Sequence, residues 1–241
     1  MASRRARFMG AQAEIWKLSG GKAAKVLGEK YSRGGRLFRP TYRLYAEKGL
    51  ASCPNIVRLL ESFDVASAGR TCILMEFIEG QGVWELGGCV GEGEAKTITR
   101  DLLRALAYLH RRHLAHHDVK PENLMRRADD STVLIDLDLM KEDLSGEGAA
   151  EDMMWAGVAL LRVMGVDADK AEDIAVTQRT EAGVRAALAN ELPEPPSRDL
   201  LSLIVSIFSG ASAEEALKHP WLAPSAPLAH TLFCPHRHTD H

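Results

Sequence analysis

The sequence predicts an α+β fold in which a small β-rich lobe precedes a larger helical one. Apolar and polar residues alternate in short runs through the first third of the chain, and from Glu94 onward the apolar residues recur at helical spacing. A length of 241 residues with 46% hydrophobic side chains allows one large domain or two lobes around a sizeable core.

The elements follow in order. Gly10 to Leu18 alternates, Ser19-Gly-Gly21 is a tight connection, and Lys22 to Leu27 is the returning strand of a hairpin. Ile56 to Phe63 and Cys72 to Phe77 flank a turn at Ala66 to Arg70 and read as a second hairpin. Between the hairpins, Arg39 to Leu50 reads as a helix. Leu102, Leu106 and Leu109 share one face of a helix that ends near Arg112. Further helices are expected at about 152–164, 181–191 and 198–209. The last begins at Ser212-Ala-Glu-Glu215, where Ser212 and Glu215 have the spacing of a capping box. Trp155, Leu201, Ile204, Ile207 and Trp221 read as core of the helical lobe. The expected division is 1–79 for the first lobe, 80–225 for the second and 226–241 for a tail.

Composition removes several function classes. Thirty basic and 33 acidic residues give a net charge of −3 with no long basic stripe, which argues against nucleic-acid binding. No run approaches the ~20 apolar residues of a membrane span, and Arg4, Arg5 and Arg7 precede no apolar signal core. Cys53, Cys72, Cys89 and Cys234 are too few and too scattered for a disulfide framework, so a reducing, cytoplasmic compartment is expected. Cys234-Pro-His-Arg-His-Thr-Asp-His241 has zinc-ligand chemistry but no second cluster to complete a site, and a polar tail is the simpler reading. His110, His113, His116 and His117 are dense enough to suggest a metal, but their place in the motif below gives another account.

The chemistry concentrates at His116-His-Asp-Val-Lys-Pro-Glu-Asn-Leu124, followed by Leu134-Ile-Asp-Leu-Asp138. The first run resembles the His-Arg-Asp-x-x-x-x-Asn catalytic loop of eukaryotic-type protein kinases, with His117 in place of arginine. The second is similar to the family's Asp-Phe-Gly, with Leu137 and Asp138 substituted. Ala23-Ala-Lys25 resembles the Ala-x-Lys of the third strand, and Leu74-Met-Glu-Phe-Ile78 the hinge. Asp152 and Gly157 fit the long central helix, and Glu215 to Leu222 is similar to the last helix. The matches fall in family order over roughly residues 8 to 223. Singly, Asp118 would read as a turn former and Lys25 as a solvated strand lysine.

The resemblance implies a bilobal kinase-like fold, ATP and Mg²⁺ as cofactors, and a protein substrate or regulatory partner. By that likeness Asp118 takes the acceptor's proton, Lys120 neutralises the γ-phosphate, and Asn123 and Asp136 hold Mg²⁺. Gly10, Ile15, Ala23, Lys25, Met75, Glu76 and Ile78 would surround the nucleotide, with Met75 as gatekeeper, Lys25 on the α- and β-phosphates and the backbone near Phe77 and Ile78 facing adenine.

The departures are as informative as the matches. Phe8 and Ala13 stand where two glycines of the phosphate-covering loop would be. The acid that should pair with Lys25 from the first lobe's helix falls near Arg43 or Leu44, and Glu47 is the nearby candidate. Asp138 adds a carboxylate beside Asp136. Only 15 residues separate Asp136 from Asp152, without Ala-Pro-Glu, so the peptide-docking segment is missing and Lys141 to Glu151 reads as a short mobile loop. His117 in place of arginine, and Phe208 to Ala213 without the arginine that pairs with the missing glutamate, argue against control by phosphorylation of that segment. The compactness resembles the small kinases of the tRNA-modifying KEOPS complex, as does Gly10-Ala-Gln-Ala13. Asp118 to Asn123 and Lys218-His-Pro-Trp221 are more similar to calmodulin-dependent Ser/Thr kinases. The leading expectation is a compact phosphotransferase acting on protein Ser or Thr hydroxyls; a pseudokinase that holds a partner and a small-molecule kinase are the alternatives.

Overall fold

Two glycines at positive φ, Gly20 (71°) and Gly21 (66°), close the first hairpin, a backbone region in which a Cβ is a burden. The computed structural model describes residues 7–9, 13–27, 38–65, 70–86 and 90–223. The hairpin strands are β2 (Ala13–Leu18) and β3 (Lys22–Leu27), with Leu18 opposite Lys22. With β1 (Arg7–Met9), β4 (Leu59–Val65) and β5 (Arg70–Glu76) they form an antiparallel sheet in the order β1-β2-β3-β5-β4. Helix α1 (Phe38–Glu47) packs on β4 and β5, burying Thr41 and Tyr45. Gly10, the turn at 66–69, Cys89 and the Cys/His-rich tail lie outside the described residues.

The first strand of the second hairpin begins three residues later than its sequence pattern indicates. The backbone of Asn55 to Val57 is spent elsewhere: Ile56 bridges Leu134 in parallel, Val57 N–H donates to the Leu134 carbonyl (2.9 Å), and Leu134 N–H donates to that of Asn55 (2.8 Å). These bonds fasten the first lobe to the helical one just before Asp136. A second sheet, β6 (Gly80–Gly82), β8 (Leu124–Arg127) and β9 (Thr132–Leu134), follows, together with the short pair β7 (Leu114–Ala115) and β10 (Lys141–Glu142).

The remaining helices are α2 (Glu92–His110), α3 (Glu147–Val163), α4 (Ala168–Thr177), α5 (Glu181–Leu188), α6 (Arg198–Phe208) and α7 (Ala213–Ala216). Leu102, Leu106 and Leu109 are buried on one face of α2, and Ser212 and Glu215 form the expected capping box. Helix α4 is absent from the sequence-based expectation, although Asp167 caps it and Ala171, Ile174 and Ala175 mark its buried stripe. Helix α3 starts five residues before the expected 152. Asp143 causes this: its carboxylate accepts from Gly146 N–H (2.9 Å) and Ala149 N–H (2.8 Å), capturing donors that a helix start leaves open. The expected loop from Lys141 to Glu151 is therefore a strand pair, a capping turn and the first turn of α3.

Leu201, Ile204, Ile207 and Trp221 are core residues as expected, whereas Trp155 is only half-buried. Among the described residues no helix is long and apolar enough to cross a membrane. Gly157 lets α3 lie against α6, because a Cβ there would be driven into the Phe208 ring. Gly157→Ala is expected to destabilise the chain by about 1–3 kcal/mol, the usual cost of overpacking, read as a lower urea midpoint with unchanged slope.

Candidate active site

Helix α3 places a carboxylate in the interior, and the loop after β7 wraps around it. Asp152 is fully buried and accepts from the backbone N–H of His116 (2.7 Å) and of His117 (2.8 Å). His110 of α2 approaches the same carboxylate through Nε2 (3.1 Å), so it is a half-buried partner of Asp152. His117 takes a left-handed backbone (φ 61°), and its ring rests against Glu151 (3.3 Å).

His116 shapes the loop. Burial holds its pKa below the ordinary histidine range, Asp152 and neighbouring groups pulling the other way, so the ring is neutral. Its Nδ1 accepts from Asp118 N–H (3.2 Å), which puts the proton on Nε2 for donation to the Ile135 carbonyl (3.1 Å). Asp118 is then gripped by its own loop: Lys120 Nζ donates to Oδ1 and Asn123 Nδ2 to Oδ2, both at 2.7 Å. Asn123 Nδ2 also reaches the Asp118 carbonyl (2.8 Å), which leaves the amide oxygen available.

Asp136, just beyond β9, has φ 57° and receives Lys25 Nζ at 2.6 Å; the same amine lies 2.8 Å from Asp138. Burial opposes ionisation of Asp136, but Lys25 outweighs it and holds the carboxyl below its usual range. Burial pushes the Asp138 carboxyl up to about 6, Lys25 opposing the rise and Asp136 adding to it. For Lys25 burial acts downward, and the two carboxylates override it to raise the pKa. The expected candidate Glu47 does not serve this lysine. It points to the outer face of α1 and pairs with Arg43 (2.7 Å), while the α1 side chain lining the cleft is Thr41.

The cleft between the lobes encloses about 290 Å³. Ile15, Ala23, Lys25, Met75, Glu76, Ile78 and Asp136 all line it, as the sequence led us to expect. Met125, Ile135 and Trp84 also line it and were missed. Met125 had a signal: it follows buried Leu124 on β8, so alternation turns it to the other side. The Glu76 side chain is structural, taken by Arg127 (2.8 and 2.9 Å) and Arg58 N–H (2.9 Å), and its own N–H donates to the Arg58 carbonyl (2.9 Å). Phe77 N–H goes to the Gly21 carbonyl (2.8 Å), and among the described residues Ile78 N–H has no partner.

Asp118 and Lys120 lie on an adjoining cavity of about 340 Å³, walled by Trp155, Val158 and Arg162 of α3. Arg162 also clamps Glu122 of the catalytic loop (2.5 and 3.1 Å). Among the described residues no three His, Cys, Asp or Glu side chains cluster as metal ligands. The Asp136 carboxylate and the Asn123 amide oxygen are the hard oxygen donors that magnesium takes alongside phosphate and water.

A family model described as the protein kinase domain matches residues 44–155. The chain is similar to MAP kinase-activated protein kinase 2 of Homo sapiens, 35% identical over 105 residues, covering 39% of this chain and 26% of that protein. It is similar to Serine/threonine-protein kinase pak-1 of Caenorhabditis elegans, 25% identical over 210 residues (74% and 36%). It is also similar to Mitogen-activated protein kinase kinase 7 of Arabidopsis thaliana, 32% identical over 88 residues (36% and 29%). The matches thus span about a quarter to a third of the length of these relatives. With Lys25 and Asp136 lining the cleft and Asp118 and Asn123 bonded to each other on the loop beside it, these matches support membership of the eukaryotic-type protein kinase superfamily.

Proposed function

We propose that this chain is an ATP-dependent phosphotransferase acting on Ser or Thr hydroxyls of protein substrates in a reducing, intracellular compartment. The observation that carries the reading is the Asp118 carboxylate, held at 2.7 Å by both Lys120 and Asn123 in the wall of the second cavity. Cys53 and Cys72 are free and buried, which suits a reducing compartment.

Each residue has a task in this reading. Ile15, Ala23, Met75 and Met125 give the base an apolar slot, and the Glu76 carbonyl and Ile78 N–H present one acceptor and one donor to its edge. Mg²⁺-ATP supplies the γ-phosphoryl group, with the cation offsetting charge on the phosphate oxygens. Asp136 and Asn123 hold the cation's side of the site, and Lys25 neutralises phosphate charge. Asp118 orients the acceptor hydroxyl and takes its proton as the oxygen–phosphorus bond forms and the bond to the ADP oxygen breaks. Lys120 steadies the γ-phosphate charge as it moves.

One observation favours a second reading. Asp138 adds a second carboxylate on Lys25 (2.8 Å) beside Asp136, a like charge on the phosphate side that favours a site holding a partner rather than turning over nucleotide. Transfer of labelled γ-phosphate to the protein itself and to cell extract separates the two. Asp118→Asn is expected to lower transfer by about 10²–10⁴-fold, the usual worth of a general base, while ATP binding stays near that of the parent. ATP binding without any transfer by the parent would establish the partner-holding reading instead. Ala23→Leu is expected to fill the base slot and weaken ATP binding roughly ten- to a hundredfold by calorimetry, as overpacking by about 1–3 kcal/mol does, with the melting curve still cooperative.

A further inference from the structure

We infer that the cavity between the catalytic loop and α3 is a subsite for a cationic side chain, arginine or lysine, of the protein substrate, and that Trp155 determines this selectivity; the inference rests on the reading of Asp118 as the base. Trp155, Val158, Ala159 and Arg162 recur at the i, i+3, i+4 and i+7 spacing of one helix face, and together they line the cavity with Asp118 and Lys120. Val158 and Ala159 are buried and form its apolar part. Trp155 is half-buried. Trp221 of the same lobe donates its indole N–H to Glu92 (2.6 Å), whereas that of Trp155 has no partner among the described residues. A large ring with an unused donor thus borders the space beside the base.

Charge decides which side chain fits. Lys120 is paired with Asp118 (2.7 Å), Arg162 with Glu122 (2.5 Å), and the His117 ring rests against Glu151 (3.3 Å). Glu172 of α4 lines the same cavity, is exposed, and has no partner among the described residues. The cations of the wall are therefore spent within it, and carboxylate charge is left over. An acidic side chain entering there is repelled, and an apolar one makes no use of Glu172. An ammonium or guanidinium over the indole face gains the attraction of the ring, with Glu172 as counter-charge. The indole N–H at the ring's edge remains for a main-chain carbonyl of the same substrate. Because Asp118 is in the wall, the cationic residue sits within a few positions of the acceptor Ser or Thr.

The test uses Ser peptides that differ in one residue, Arg, Lys, Leu, Ala or Glu, placed in turn at each position flanking the acceptor. Transfer is read as kcat/KM, and binding to the full chain without nucleotide is read by calorimetry. The parent is expected to prefer the Arg and Lys peptides at one flanking position. Trp155→Leu, which keeps apolar bulk and removes the ring, is expected to shrink that preference roughly three- to thirtyfold, the worth of a cation over an aromatic face, and Trp155→Phe to keep most of it. Glu172→Gln is expected to shrink it about two- to fivefold, more so at low salt. A merely structural Trp155 would lower the melting temperature and weaken all peptides alike in Trp155→Leu, which overturns the assignment. So does a parent that favours Leu or Glu, or one that ranks the peptides equally. A parent that transfers no phosphate yet binds the Arg peptide through Trp155 and Glu172 removes the phosphotransferase reading and leaves the subsite standing.

Discussion

A buried carboxylate with three donors around it organises this molecule. Asp152 sits in the middle of the helical lobe, where a lone charge would be expensive to keep. Two successive backbone N–H groups, from His116 and His117, and the His110 ring supply the compensation. The bonds run across 35, 36 and 42 residues of sequence and join α2, α3 and the catalytic loop. Removing the carboxylate would strand those donors in the interior, each costing about 1–3 kcal/mol. The loop that carries Asp118 is therefore fixed from below, by the core, rather than by contacts among its own surface residues.

Strain is stored where that grip is strongest. His117 and Asp136 both lie in the left-handed region without being glycine, a conformation that persists only when the surroundings over-determine it. For His117 the restraint is its N–H on Asp152; for Asp136 it is Lys25, together with the bond from Ile135 N–H to the Asn123 carbonyl (2.8 Å) just before it. His116 connects the two, with one ring nitrogen on each stretch. Asp118 and Asp136 thus share one support, and displacement of either is felt by the other.

The short-range parts of this arrangement could be read from the sequence, and the long-range parts could not. The first hairpin, the α2 stripe and the Ser212–Glu215 box depend on residues a few positions apart, and their periodicity or spacing announced them. The cleft residues Ala23, Met75 and Asp136 could be read because a motif fixes their order. Thr41, rather than Arg43 or Leu44, lines the cleft because the phase of α1 is set by packing on β4 and β5. Asp143 went unnoticed because a capping turn of acidic and glycine residues has the same composition as a mobile loop. The partners of Lys25 were out of reach for a different reason: it stands 113 positions from Asp138, and no local pattern encodes that contact.

The shortened segment has a consequence for the acceptor side. From Asp136 the chain spends its residues on β10, which pairs back to β7, and on the Asp143 turn, which launches α3 at Glu147. Nothing is left over to spread across the face below Asp118. Trp155 and Arg162 of α3 stand there instead and form the wall of the cavity that opens at the catalytic loop. Arg162 is neutralised by Glu122, and Lys120 by Asp118, while Glu151 and Glu172 on the same rim add negative charge. In the proposed reading an acceptor hydroxyl meets an aromatic ring and a mildly acidic rim on a helix, and selection at that face depends on fit to Trp155 and on charge rather than on ordering a long segment around the substrate.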